Sequence, residues 1–380
     1  MPGETRVARR KLCLLVASEI TVRAFLVGHL RALVEQYDVS VVVNTNNPSF
    51  LDDLGLQLRV IPLRIERNIA PLRDLAALFA LIGLFRRERF DLLHSVTPKA
   101  GLLAMLAGKM AGIRLRIHTF TGQVWATRSG FSRFLLKSMD RLLAACATHL
   151  LADSVSQRDF LVAEGVVRKA KVGVLAKGSI CGVDSVRFHP DAAARQAIRK
   201  ELGIKQKEVT FLFLGRLNRD KGVLDLAQAF TRLSGDCRLL FVGPDEAGMQ
   251  AEIESITEHH PHVHFVAYTD KPATYMAAAD VFCLPSYREG FGSVILEAAA
   301  CGVPAIGSRI YGVTEAIEEG KSGFLFPPGD VDALAGIMRR LLENSSLRVQ
   351  MGEYARQRAE HDFASQRVTE AWLEYYDVVL

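Results

Sequence analysis

Pro285-Ser286-Tyr287-Arg288-Glu289-Gly290-Phe291-Gly292-Ser293-Val294-Ile295-Leu296-Glu297 changes character halfway, from a polar loop with two glycines to an apolar helix. Ahead of it, Asp280-Val-Phe-Cys-Leu284 reads as a short buried strand. Behind it, Val294, Ile295, Ala298, Ala299 and Val303 recur near helical spacing until Cys301-Gly302-Val303-Pro304 ends the helix. Strand, glycine loop and helix N-terminus in that order leave backbone N–H groups free at the positive end of the helix dipole, a geometry that suits a phosphate. Glu289 falls in that loop and Glu297 two turns into the helix. A carboxylate beside a phosphate site needs a hydroxyl or a cation to accept from, so the pair suits the hydroxyls of a sugar nucleotide. On spacing alone a solvated Glu297 and a merely dipole-complementing Glu289 fit as well.

A second run carries the opposite charge. Val209-Thr-Phe-Leu-Phe-Leu-Gly215 is a buried strand, and Arg216-Leu-Asn-Arg-Asp-Lys221-Gly222 follows it. Arg216 offers a fork and Lys221 a point charge, both suited to a diphosphate. No Gly-Lys-Ser/Thr follows, so the loop is not of the Walker A kind.

With 380 residues and 49% hydrophobic content, the chain predicts two domains. Residues 1–190 hold 27 Lys and Arg against 15 Asp and Glu, a net of +12, and residues 191–380 hold 20 against 27, a net of −7. A basic first half predicts an anionic partner. Arg6, Arg9, Arg10 and Lys11 precede Leu12 to Ala17, an apolar run too short for a signal core, and Leu75 to Phe85 is too short to span a bilayer; the expected location is the cytoplasm. The six cysteines lack metal spacing and read as reduced core residues.

Lys11 to Ala17, a helix over Arg23 to Gln36 and Asp38 to Asn44 open the chain as a βαβ unit. Leu72 to Phe90, closing on Arg86-Arg87-Glu88-Arg89, reads either as an interfacial helix or as a buried crossover helix with a basic cap. In Phe131 to Leu143, Arg133, Lys137 and Arg141 recur every four residues opposite Phe134, Leu135, Met139 and Leu142, which predicts a basic stripe facing a membrane. His94 and His118 are placed at the ends of two strands, with their loops at the ligand-binding edge of the sheet.

Glu289 to Glu297 matches the E-x7-E pattern of retaining glycosyltransferases with the two-domain GT-B fold, and its surroundings resemble glycosyltransferase family 4. The likeness runs from Gly215 to Gly329, with weaker echoes in the N-terminal half. It implies an α/β chain of two Rossmann-like domains facing a central cleft, with residues 1–180 on the acceptor side, 181–362 on the donor side, and the aromatic helix 363–380 packing back onto the first. Gly178 to Pro190 looks like the family's hinge. Arg216 and Lys221 match its G-R-x4-K-G element. Where family members carry Thr-x-His-Gly, this chain reads Thr119-Phe120-Thr121-Gly122, so Thr121 is the aligned residue and His118 stands three early; either is left as a cleft residue. The loop after the first strand, Ser18-Glu19-Ile20-Thr21, lacks the glycine pair common in the family.

The resemblance further implies a metal-independent reaction in which Arg216, Lys221 and the N–H groups of Gly290, Phe291, Gly292 and Ser293, with Gly215 and Val294 lining the site, meet the departing diphosphate. Glu289 would hold the sugar, Glu297 the ribose, and Tyr268 would stack on the base. The one Asp-x-Asp in the chain, Asp330-Val331-Asp332 after Gly329, reads as the cap of the helix that follows and not as a metal motif. The expected donor is a UDP-sugar, a UDP-N-acetylhexosamine by preference. The expected acceptor is a polyprenyl-diphosphate-linked saccharide at the inner membrane face, reached through an anionic lipid surface. A 2-epimerase-like enzyme of the same fold is the alternative. A dinucleotide oxidoreductase lacks its G-x-G-x-x-G, and a nucleic-acid binder lacks aromatics interleaved with its basic residues.

Overall fold

The computed structural model describes residues 9–66 and 70–380, so Arg6 of the N-terminal basic run lies outside the described residues. The chain forms two units. One comprises the residues up to Ala176 together with Val368–Leu380, and the other is Lys177–Arg367.

The first unit holds a seven-stranded parallel sheet. Its strands are β1 (Lys11–Val16), β2 (Asp38–Val43), β3 (Arg59–Pro62), β4 (Leu92–Val96), β5 (Leu115–Phe120), β6 (His149–Ala152) and β7 (Val172–Gly173), in the order β3-β2-β1-β4-β5-β6-β7. Central strands such as Leu12–Val16 and Leu92–Val96 are buried along their whole length, because helices cover both faces of a parallel sheet. The second unit repeats the plan with β8 (Val209–Leu214), β9 (Cys237–Val242), β10 (Val263–Val266), β11 (Val281–Leu284), β12 (Ala305–Ser308) and β13 (Gly323–Phe326), in the order β10-β9-β8-β11-β12-β13. In each sheet the order reverses beside the first strand, at β1/β4 and at β8/β11. Such a reversal parts the loops that leave the carboxyl ends and opens a crevice for a ligand.

The end of the chain completes the first unit. On the helix Ser365–Val379, Trp372 is stacked between the rings of His29, at 4.3 Å, and His94, at 4.5 Å. The Tyr376 hydroxyl meets His94 Nδ1 at 2.5 Å, and Tyr37 donates to Asp377 at 3.0 Å. Phe363, expected at the head of this helix, instead lies buried in the core of the second unit, edge-on to Phe291. The helix starts only at Ser365, because Val183 N donates to the Phe363 carbonyl at 2.8 Å and the Val183 carbonyl accepts from Ser365 N at 2.9 Å, a bridge that interrupts the helix at Ala364.

Three further expectations change. The histidines do not end their strands: β4 and β5 run two residues past His94 and His118 and carry both into the core. The glycine-free loop after β1 is barely a loop, since Ser18 accepts from Thr21 N and the chain is helical from Glu19, through a π turn at Val22–Leu26, to Gln36. The basic row of the helix Gly130–Cys146 is not a free surface. Arg133 and Lys137 both bind Glu164, at 2.8 and 2.6 Å, and lie over the Trp125 ring, while Arg141 donates to the carbonyls of Glu164 and Gly165. Spacing placed the three cations on one side correctly. That side is tied to the neighbouring turn, and Phe131, Phe134, Leu135 and Leu142 are the exposed large apolar residues of the helix.

Candidate active site

The switch between β8 and β11 sets two loops side by side, Gly215–Gly222 and Pro285–Gly292. Asn218 caps the 3-10 turn Arg219–Lys221 by accepting from Lys221 N at 3.1 Å, which fixes where the lysine leaves the backbone. Gly222 then takes φ +66°, and a Cβ there would stand 2.0 Å from the Pro285 carbonyl oxygen; only glycine lets the loops approach this closely. Tyr287 N donates to the Asp220 carbonyl at 2.9 Å and its hydroxyl to Asp225 at 2.6 Å, closing the seam.

Across that seam Lys221 Nζ meets Glu289 Oε1 at 2.5 Å, and the same oxygen accepts from the buried Ser286 hydroxyl at 2.7 Å. Both ionic side chains are largely shielded, with 22% and 12% of their surface exposed. A carboxylate held by a cation and a hydroxyl on one oxygen keeps the other for an incoming hydroxyl. Just beyond it the helix Ser293–Ala300 begins, capped by Gly292. In its first turn Ile295 N donates to the Gly292 carbonyl at 2.8 Å, while no internal acceptor is found for the N–H groups of Gly290, Phe291, Gly292 and Ser293 among the described residues. The Phe291 ring is in the core, so only its backbone can serve a ligand. A Cβ on Gly312 would stand 2.2 Å from the Gly290 carbonyl oxygen, so the loop after β12 backs this turn at backbone contact.

Glu297 sits one layer deeper. Burial pushes its carboxyl up to about 7, opposed by the nearby Arg187 guanidinium. Arg216 leaves the end of β8 half-exposed and pairs with Glu246 at 3.0 Å, not with Glu289 or Glu297. Tyr268 is exposed beyond β10. The structure therefore brings Lys221, Glu289, Gly290 to Ser293 and Val294 into one locus of the second unit. Arg216 and Glu297 belong to the same carboxyl edge without touching that pair.

In the first unit Thr121 follows the last residue of β5 and is half-buried. His118 is a core residue. Its Nδ1 pairs with Ser95 at 2.9 Å, its ring fills the space that the missing side chain of Gly101 leaves, and burial lowers its pKa to about 3. The sequence reading passed over Ser286, Arg187 and Asp153. Asp153 directly follows β6, whose Ala152 pairs with Phe120, and therefore stands beside Thr121. It is buried, one of its oxygens has no partner, and its carboxyl is raised to about 8 by desolvation. Its signal in the sequence was an aspartate directly after an apolar strand, Leu150-Leu151-Ala152-Asp153.

Comparison with known proteins places these features in context. A family model described as glycosyl transferases group 1 matches residues 194–358, and one described as a glycosyl transferase 4-like domain matches residues 4–178. The capsular polysaccharide biosynthesis glycosyltransferase CapM of Staphylococcus aureus is 30% identical over 326 residues, 84% of this chain and 85% of its own length. The UDP-Gal:alpha-D-GlcNAc-diphosphoundecaprenol alpha-1,3-galactosyltransferase of Escherichia coli is 26% identical over 325 residues, 83% of this chain and 82% of its own. Among solved structures, Anabaena HepE in complex with UDP and glucose superposes with a TM-score of 0.82 at 20% identity, covering 97% of this chain and 100% of that one.

Proposed function

We propose, for a chain that belongs to the group 1 glycosyl transferases and has their GT-B fold, that it moves a hexose from a UDP-sugar to a hydroxyl of a polyprenyl-diphosphate-linked saccharide. The transfer retains anomeric configuration. The bond between the anomeric carbon and the diphosphate oxygen breaks while the acceptor oxygen bonds to that carbon on the same face, and the acceptor's proton passes to the leaving phosphate. No protein base is then needed.

The observation that carries this reading is the contact of Lys221 with Glu289 at the mouth of the helix Ser293–Ala300. Negative charge grows on the diphosphate as the bond stretches. The lysine, the N–H groups of Gly290 to Ser293 and the helix dipole are fixed in place to receive it, so little reorganisation is required. Arg216 adds its charge when a diphosphate displaces Glu246. Glu289 holds sugar hydroxyls through its second oxygen, Glu297 the ribose hydroxyls, and Tyr268 stacks on uracil. No metal is assigned a part. The choice of a lipid-linked acceptor and a UDP-sugar is supported by the Escherichia coli relative, a galactosyltransferase named for UDP-Gal and a diphosphoundecaprenol-linked GlcNAc, and an N-acetylhexosamine remains the preferred sugar. Work at the inner face of the membrane follows from an acceptor of that kind.

The test is transfer of label from UDP-sugars to a lipid extract, with and without EDTA. The wild type transfers label in both; Glu289→Ala and Lys221→Ala fold normally and transfer none. Near-normal turnover in both variants would defeat the reading, and loss of activity in EDTA would defeat its metal-independent form.

A further inference from the structure

Two helices of the first unit carry an apolar stripe on the side turned away from the sheet. On Pro71–Glu88 the residues facing inward are Ala77, Leu81, Ile82, Leu84 and Phe85, yet Leu72, Leu75 and Phe79 recur at i, i+3 and i+7 on the opposite side, with Leu72 85% and Phe79 60% exposed. On Gly130–Cys146 the outward residues Phe131, Phe134, Leu135 and Leu142 follow the same rule at i, i+3, i+4 and i+11, with Phe131 76% and Phe134 63% exposed. Both helices pack against the helix Pro98–Ala111. Both also begin at the carboxyl edge of the sheet, the edge that bears Thr121 and Asp153. An ordinary crossover helix is polar on that side, and isolated apolar residues are common while a spaced row on two neighbouring helices is not.

The charges around the rows are arranged to suit a lipid surface. The one carboxylate in the first turns of Pro71–Glu88, Asp74, is ion-paired with Lys99 at 2.6 Å, and Asp140 is buried under Trp125 at 2.7 Å. Neither helix therefore presents a free acid where the rows are. Arg128 lies exposed just before the second row. The cations of the expected basic stripe are occupied by Glu164 and Trp125. We infer that the first unit docks on a lipid bilayer by inserting Phe131, Phe134 and Phe79 with their neighbouring leucines into the interface, and that charge attraction is secondary. This rests on the acceptor being lipid-borne. Aromatic and leucine side chains on the surface of a helix lying in the headgroup region are the usual means of such insertion. No helix among the described residues is long and apolar enough to cross a membrane.

The experiment is sedimentation of the full chain with phosphatidylcholine vesicles, with and without anionic phosphatidylglycerol. The wild type binds the zwitterionic vesicles, and Phe131→Ser/Phe134→Ser weakens that partitioning by roughly tenfold or more, as loss of two buried phenyl groups requires. Arg133→Gln leaves it nearly unchanged. Binding that appears only with anionic lipid, or serine variants that partition like the wild type, would overturn the inference. So would a lipid-free dimer that the serine pair converts to monomer, since the rows would then belong to a second copy. Donor turnover in detergent solution is measured in parallel. Its presence together with lost vesicle binding in the wild type removes the docking surface alone, and its absence with vesicle binding intact removes the proposed reaction and leaves the surface standing.

Discussion

Replacing Glu297 by glutamine should make the ligand-free protein more stable and the donor complex weaker, and the two effects should separate by pH. Burial raises this carboxyl from 4.5 to about 7. In the folded state the proton is held more tightly than in the unfolded chain, so between those values the wild type loses stability as pH rises, and above about 7 the loss is complete. At about 1.36 kcal/mol for each pH unit, ionisation is disfavoured by no more than about 3 kcal/mol. Part of the residue's surface stays open, which makes that figure an upper limit. Glutamine keeps the shape without the charge. At pH 5 the two proteins should melt together, and by pH 8 the variant should melt higher by several degrees, at about 2–4 °C per kcal/mol for a domain of this class. UDP then adds the second half. An ionised Glu297 accepting from ribose hydroxyls makes the wild type's UDP-induced shift grow through pH 7, and the variant's stay flat. Scanning calorimetry from pH 4.5 to 8.5, with and without UDP, reads both. A stability gap equal at every pH, or a variant that keeps the full UDP shift, would refute the assignment of this carboxylate.

Other outcomes follow from the same contacts. Ser286→Ala removes one of two donors to Glu289 Oε1 and should lower kcat by roughly tenfold while KM for the donor changes little, because the ion pair survives. Gly222→Ala forces a Cβ against the Pro285 carbonyl at positive φ and should abolish transfer and lower the melting temperature of the second unit, which limited proteolysis can report. Trp372→Ala removes the ring stacked between His29 and His94 and should destabilise the first unit by about 3–5 kcal/mol, measured by urea denaturation. His118, lowered to about 3 by burial, contributes stability that is complete above about 6.5 and is lost as pH falls towards 3. The first unit should therefore melt progressively lower on acidification below about pH 6.5, and His118→Gln should flatten that slope.

Much of this architecture was legible because parallel strands buried on both faces leave continuous apolar runs: Lys11–Val16, Asp38–Val43, Val209–Leu214 and Val281–Leu284 stand within a residue of their expected limits. The loops that bear Lys221 and Glu289 were legible for a related reason. Glycines and charged residues directly after such runs have few roles other than binding at the carboxyl edge. What escaped was whatever depends on depth. Counting along Leu92–Val96 does not reveal that the sheet continues beyond His94, so two core histidines looked like strand ends beside the ligand-binding edge. The side of Gly130–Cys146 that carries Arg133 and Lys137 could be computed from spacing, but the partner for that side, Glu164, comes from a turn after β6 that spacing cannot see. Ser286 was invisible in the same way, since a serine next to a strand end is ordinary until its hydroxyl is found on the oxygen that Lys221 also holds.

The first unit takes residues from both ends of the chain, and the second is one uninterrupted length between them. During synthesis β1 and β4 are made long before Trp372 and Tyr376, so His29 and His94 wait uncovered until the last residues of their own unit arrive. A stop codon or a protease cut only a few residues from the C-terminus would therefore damage the half of the molecule that was translated first.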